Sequence, residues 1–294
     1  MGPKSKPANA LTEAEQNEIL RIANSEEYRD LSPKQIVPRL ADRGLYVASE
    51  SSFERTLKRH GQKTHRGPKR QKSAKKPREK SAKMPGQLWT WDITLLRSPV
   101  VGRFFYLYLV VDIWSRKIVT FEVHDRECSE LSSAMMLAAV ERHGNSASLT
   151  LHQDNGGPMK GTLKACMENV GVAMSYSRPH VSDDNPYSES LFGTMKTRPC
   201  YPRKPFENIE AARSWVESFV HWYNEEHRHS AIGYVTPSQR HRGDAEAILN
   251  QRRCVYEKAK QRNPERWSGA ARSWRVRAEV FLNPDKDTLE RLRK

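Results

Sequence analysis

Three acidic residues stand where packing explains them poorly. Asp92 interrupts the alternating run Leu88-Trp89-Thr90-Trp91-Asp92-Ile93-Thr94. Asp154 follows the apolar stretch 149–153 and enters Asp154-Asn155-Gly156. Glu189 lies in the first turns of a helix opened by Asn185-Pro186, with Lys196 two turns on along the same face. Carboxylates are hard oxygen donors that suit Mg²⁺ or Mn²⁺. Two such ions about 3.5–4 Å apart can flank the attacking and leaving oxygens of a phosphodiester. Each acid alone has an ordinary explanation. Asp92 could sit on the surface of an edge strand, Asp154 could begin a turn, and Glu189 could answer a helix dipole. Taken together, on three separate elements, they make a candidate site for two divalent ions.

The elements that would position them follow from periodicity. Residues 88–96 alternate as a half-buried strand does, and 104–112 are apolar enough for a fully buried one. Residues 117–123 supply a third strand, so the first three form an antiparallel meander. Then come a helix over 129–143, a strand over 149–153, a helix over 162–169, a strand over 172–176, the Asn185-Pro186 helix and an amphipathic helix over 209–223. Three strands followed by alternating helix and strand predict an α/β fold. Its mixed five-stranded sheet is flanked by helices, as in an RNase H-like core. Asp154 would lie at the carboxyl end of the fourth strand, where ligands gather in such sheets. Asp112 reads as a turn carboxylate, and Asp183 and Asp184 as residues that shape the loop before the helix. His152 and Asn155 would line the site without ligating metal.

The flanks differ in charge from this centre. Residues 1–86 carry net +10, 87–239 net −2 and 240–294 net +7, within a chain of 294 residues and net +15. Basic flanks around a near-neutral centre suit a polyanion such as nucleic acid. Residues 1–60 read as three helices. Thr12 and Glu15 form a capping box, Ser32-Pro33 opens the second helix, and Pro38 sits awkwardly inside it. Helix, Gly44, then a basic helix is the pattern of a helix-turn-helix. Ser51, Ser52, Glu54, Arg55, Lys58 and Arg59 would then be presented to DNA; the plainer alternative is a three-helix scaffold. Residues 61–86 read as a basic linker, since 58–83 hold 12 basic residues and one acid. Residues 87–239 read as the core that carries the three acids, and so as the expected catalytic core. Residues 240–294 read as a basic, Trp-rich extension, either a small β element packed on a neighbour or a DNA contact. The four cysteines are scattered without a Cys-x-x-Cys pair, and no apolar run reaches the ~20 residues of a membrane span. A reduced, cytoplasmic protein without membrane association is expected.

The blocks Trp91-Asp92-Ile93-Thr94, His152-Gln153-Asp154-Asn155-Gly156, Asp184-Asn185-Pro186-Tyr187-Ser188-Glu189-Ser190-Leu191-Phe192 with Lys196, and Arg228-His229-Ser230-Ala231-Ile232-Gly233 carry a specific resemblance. The chain resembles the IS-three family of insertion-sequence transposases, in its downstream-frame, OrfB-type product. More widely, it is similar to the DDE transposase and retroviral-integrase core superfamily. The likeness covers about half the chain. It implies a catalytic and metal-holding triad of Asp92, Asp154 and Glu189, with Lys196, Arg178 and Tyr187 toward DNA. It also implies Mg²⁺ or Mn²⁺ as two ions, cleavage at the terminal inverted repeats of the element, and 3′-hydroxyl transfer into target DNA. An oligomer on paired ends, an upstream-frame (OrfA-type) partner and association with the nucleoid follow from the same likeness. Between Asp154 and Glu189 lie 34 residues, about one fewer than the family pattern. The integrases' amino-terminal zinc module has no counterpart, because His60 and His65 lack nearby cysteines. Rivals from other classes are a non-catalytic DNA-binding regulator and a nuclease of this fold that cuts without joining.

Overall fold

In the strand β2 (Leu88–Arg97) alternate residues face opposite layers, and that alternation organises the core. The computed structural model describes residues 10–62, 77–143, 148–154, 160–177 and 184–293. These form two compact units. The larger one holds the described residues of 77–227 together with 236–241 and 277–293. Its sheet contains β2, β3 (Phe104–Asp112), β4 (Ile118–His124), β5 (Thr150–Gln153) and β6 (Ala173–Tyr176). The order is β4-β3-β2-β5-β6. The first three strands are antiparallel, and β5 and β6 run parallel to β2 and to each other. This is the mixed five-stranded sheet expected from the pattern.

One face of the sheet packs Trp89, Trp91, Tyr108 and Val110 against Met135, Met136 and Ala139 of α4 (Ser129–His143) and Leu163 and Met167 of α5 (Lys160–Asn169). The other face packs Leu96, Leu107, Leu109 and Val111 against two further helices. These are α6 (Pro186–Lys196), through Leu191 and Met195, and α7 (Ile209–Glu225), through Val216 and Phe219. Full burial of such side chains stabilises by about 1.5–3 kcal/mol each. Both layers are therefore needed to hold β2 in the middle of the sheet.

Beside this sheet lies a second, two-stranded one. The short strand β1 (Lys80–Ala82) pairs antiparallel with β7 (Val280–Leu282). Ala82, Leu88, Ile113 and Leu282 are buried together beneath it. The short helix α8 (Pro237–Arg242) precedes β7 in the chain and α10 (Lys286–Arg293) follows it, and Glu79 accepts from the Asp285 amide and the Thr288 hydroxyl.

The smaller unit holds the described residues of 10–62 with 228–235 and 242–276. Its amino-terminal part is α1 (Glu13–Ala23), α2 (Pro33–Asp42) and α3 (Glu50–Arg59). Thr12 and Glu15 make the expected reciprocal cap, and Ser49 caps α3 by accepting from the Ser52 amide. Pro38 lies inside α2, which continues through it to Asp42, and Gly44 at φ +75° turns the chain just beyond. Packed into the same core is α9 (Ala245–Arg262), with Leu249 and Tyr256, followed by Trp274.

These units redraw three boundaries, the first being that residues 228–235, expected in the core, belong to the helical unit. Residues 80–82, expected in the linker, form a strand of the larger unit. Residues 240–294, expected as one extension, divide between the units. α9 and Trp274 join the helical unit, and β7 and α10 join the sheet unit. The cause is long-range packing. Arg252 is fully buried and gives both Nε (2.6 Å) and Nη2 (3.0 Å) to the carboxylate of Asp42 in α2. Its remaining donors reach the carbonyls of Gly233 (2.7 Å) and Tyr234 (2.9 Å). A planar five-donor guanidinium fits such a fork as an ammonium would not. Among the described residues no helix is long and apolar enough to cross a membrane.

Candidate active site

The Thr90, Asp92, Thr94 face of β2 lies under α6. The Thr90 and Ser188 hydroxyls are 3.2 Å apart, Asn185 Nδ2 donates to the Trp91 carbonyl at 3.2 Å, and Lys196 Nζ donates to Thr94 Oγ1 at 2.7 Å. Three bonds along the length of α6 thus fix its rotation over β2. Asp92 lies between the Thr90 and Thr94 anchors. Asp154 enters from the neighbouring parallel strand. Thr90 is in register with His152, so Asp92 and Asp154 each lie two residues further on. Residues two apart in a strand share a face.

Electrostatics tie the three acids together. Burial pushes the Asp92 carboxyl up to about 7, reinforced by the charge of Asp154 and then of Glu189. The Ile93 amide, donating to Asp92 Oδ1 at 2.8 Å, and the nearby Lys196 pull the other way. Asp154 is also raised, by burial first; the Ser177 hydroxyl, donating to its Oδ1 at 2.8 Å, opposes this, and Asp184 adds to it. Lys196 is lowered by burial, with Asp92 opposing. A congested, half-buried group of like charges is what a divalent cation relieves. The donor set is all hard oxygen, which fits Mg²⁺ or Mn²⁺. The side chains are not drawn to ligand distance of one point. Among the described residues, no set of three His, Cys, Asp or Glu is gathered closely enough to hold an ion.

Behind Asp154 stands a polar buttress built on His152, which was expected to line the site, and on Ser177, to which no role was given. His152 is fully buried, with Nδ1 3.0 Å from Ser175 Oγ and Nε2 3.2 Å from Ser177 Oγ. Burial pushes its imidazole down to about 4, so the ring is neutral at physiological pH. Ser177 donates to Asp154 Oδ1, and its contact with Nε2 links the buried ring to that carboxylate. Gln153 accepts from the Trp91 indole at 2.7 Å. The signal for Ser177 was its place one residue beyond Tyr176, whose register partner is Gln153. That position sets Ser177 beside Asp154.

Other expected residues have plain placements. Asp112 is a buried turn carboxylate, as expected, accepting from the Ser115 amide (2.8 Å), the Ser115 hydroxyl (2.7 Å) and the Gly86 amide (2.7 Å). Tyr187, expected toward DNA, gives its hydroxyl to the Phe281 carbonyl at 2.6 Å, and the Arg116 guanidinium covers its ring. Its polar end is engaged within the fold, where β7 pins the start of α6. Asp184 is buried and its carbonyl accepts from Asn283 Nδ2 at 3.0 Å. Arg55, Lys58 and Arg59 are exposed on α3. Arg178, Asp183 and Asn155 lie outside the described residues.

Two family profiles described as integrase core domain match residues 82–182 and 170–237. Transposase InsF of insertion sequence IS3A from Escherichia coli K12 is 29% identical over 157 residues, 53% of this chain and 54% of the relative. A 31 kDa protein of insertion element IS600 from Shigella sonnei is 27% identical over 156 residues, 52% of this chain and 56% of the relative. The chain therefore spans about half the length of the curated relatives it matches. A crystal structure of the BIV integrase catalytic core domain aligns with a TM-score of 0.41 at 20% identity, covering 55% of this chain and 97% of that one. Residues 82–237 thus carry an integrase core domain, and the chain is similar there to transposases of the IS3 insertion sequences.

Proposed function

We propose that the chain cleaves the DNA ends of an insertion element and joins the freed 3′ hydroxyl to a target phosphodiester. The single observation that carries this reading is Asp92, half-buried on β2 beneath α6 and raised to about 7 with Asp154 and Glu189 as its like-charged neighbours. Asp92, Asp154 and Glu189 would hold Mg²⁺ or Mn²⁺, as two ions. Such ions, when bound, supply Lewis acidity to the scissile phosphate and activation to the attacking hydroxyl. The protein's own contributions are separate. Ser177 orients the Asp154 carboxylate, and α6 carries Glu189 and Lys196 over the same strand face. The Lys196 ammonium is available to a phosphate oxygen once it leaves Thr94. Arg55, Lys58 and Arg59 would bring duplex to the protein. Assembly on paired ends, an upstream-frame partner and action at the nucleoid in the cytoplasm belong to the same proposal.

The test uses full-length protein, its upstream-frame partner and labelled element-end duplexes in Mg²⁺ or Mn²⁺. Wild type should nick and join. Asp92→Asn and Glu189→Gln should bind the ends with wild-type affinity and lose both reactions. Nicking and joining by both variants would refute the triad. Binding without cleavage by wild type would favour a regulator, and cleavage without joined product a nuclease.

A further inference from the structure

The helical unit contains an open cleft of about 1140 Å³. One wall is α3, through Ser52, Arg55 and Arg59, and the other is α9, through Lys258 and Arg262. On each helix these residues fall at i, i+3, i+4 or i+7, so each wall is one continuous stripe. The volume exceeds the usual 300–1,000 Å³ of a small-molecule site. The lining is also strongly cationic. Glu15 is its one carboxylate, and it is occupied by Arg266 at 2.5 Å. Arg59 donates to the Gln16 amide oxygen at 3.0 Å and Arg55 to the Ser52 hydroxyl at 3.3 Å. Both partners are neutral and leave the charge uncompensated. Lys258 and Arg262 are exposed, and among the described residues no carboxylate lies within ion-pair distance of either. Four cations therefore face one cleft without an anion.

We infer that α3 and α9 form a single cleft for duplex DNA. In it α3 enters the major groove, while Lys258 and Arg262 hold the sugar–phosphate strand along its flank. This rests on the DNA-processing reading above, and it gives part of the carboxyl-terminal region a binding role. A simpler account assigns the cations to the negative ends of the two helices. It fits Arg59 and Arg262 in the last turns, but not Arg55 and Lys258, which lie further in. The accounts differ in readout. Cations that serve a helix end affect folding, whereas cations that hold phosphate affect binding and its dependence on salt.

The experiment measures binding of the full chain to an element-end duplex and to a scrambled duplex, by fluorescence anisotropy from 50 to 500 mM salt. Replacing Lys258 and Arg262 together by alanine should leave the melting temperature unchanged. It should weaken both duplexes equally, by roughly tenfold per lost phosphate contact at 0.1 M salt, and reduce the log–log salt slope by about 1.8. The charge-conserving pair Lys258→Arg and Arg262→Lys should restore the slope. Arg253→Ala, exposed on α9 but outside the cleft, should change neither quantity. Arg55→Ala should reduce the preference for the element end over the scrambled duplex. A wild-type slope in the double alanine variant, or an equal loss in Arg253→Ala, would overturn the cleft while leaving the DNA reading intact. Failure of the wild type to bind any duplex would overturn both.

Discussion

At the scale of single residues, Asp92 holds the most consequential charge. Its carboxyl is raised from 3.8 to about 7 by burial and by Asp154 and Glu189. In the metal-free protein the folded state therefore keeps a proton that the unfolded chain releases near pH 4. Stability must fall as pH climbs from about 4 to above 7, because the native state binds more protons throughout that window. Asp92→Asn should remove this slope and be the more stable protein at pH 8, by as much as about 4 kcal/mol. Urea denaturation of both forms in EDTA at a series of pH values checks it. Magnesium at 100 times its dissociation constant should return about 2.7 kcal/mol to wild type and much less to the variant. The three acids stood out in the sequence because packing gave no account of them, least of all an aspartate in mid-strand. The role of Ser177 was not legible. A serine beside a strand end is common, and only the β5–β6 register reveals which carboxylate it serves.

At the scale of elements, the anchoring of α6 matters most. Tyr187 at its start reaches the Phe281 carbonyl, and Asn283 holds the Asp184 carbonyl just before it. Asn283 has φ +53°, in the left-handed region that asparagine tolerates better than alanine. Asn283→Ala should lose the hydrogen bond and add backbone strain, about 2–3 kcal/mol together. Asn283→Gly should lose only the bond, about 1 kcal/mol. Chemical denaturation of the two variants distinguishes these outcomes. In the helical unit, Arg252→Ala strips Asp42 of a bidentate partner and should destabilise that unit by about 3–5 kcal/mol, read as an earlier transition in urea. Neither anchor could be read from periodicity. Arg252 looked like one more charge on a basic helix, and β1 is three residues long in a proline-flanked, lysine-rich stretch. The five central strands were readable because their apolar alternation is local.

At the scale of the whole molecule, the division of labour follows the two units rather than the order of the chain. Residues 242–276 contribute to the helical unit and 277–293 to the sheet unit. A chain ending at residue 276 keeps α9 and Trp274 but loses β7, Asn283 and the acceptor for Tyr187. It should bind duplex as the full chain does and lose nicking and joining. Anisotropy and gel assays on the same preparation measure both. A fragment limited to 87–239 should be poorly soluble, since Leu88 and Ile113 lose Ala82 and Leu282 as cover.

The β1–β7 pair joins Lys80 to Leu282. A nascent chain emerging from the ribosome has therefore made all three acids long before it has made the strand that clamps the helix bearing Glu189. Until translation passes residue 283, Tyr187 has no carbonyl to grip and α6 is held only by its contacts with β2. The site therefore stays without its clamp for the whole interval between the synthesis of Glu189 and that of Asn283.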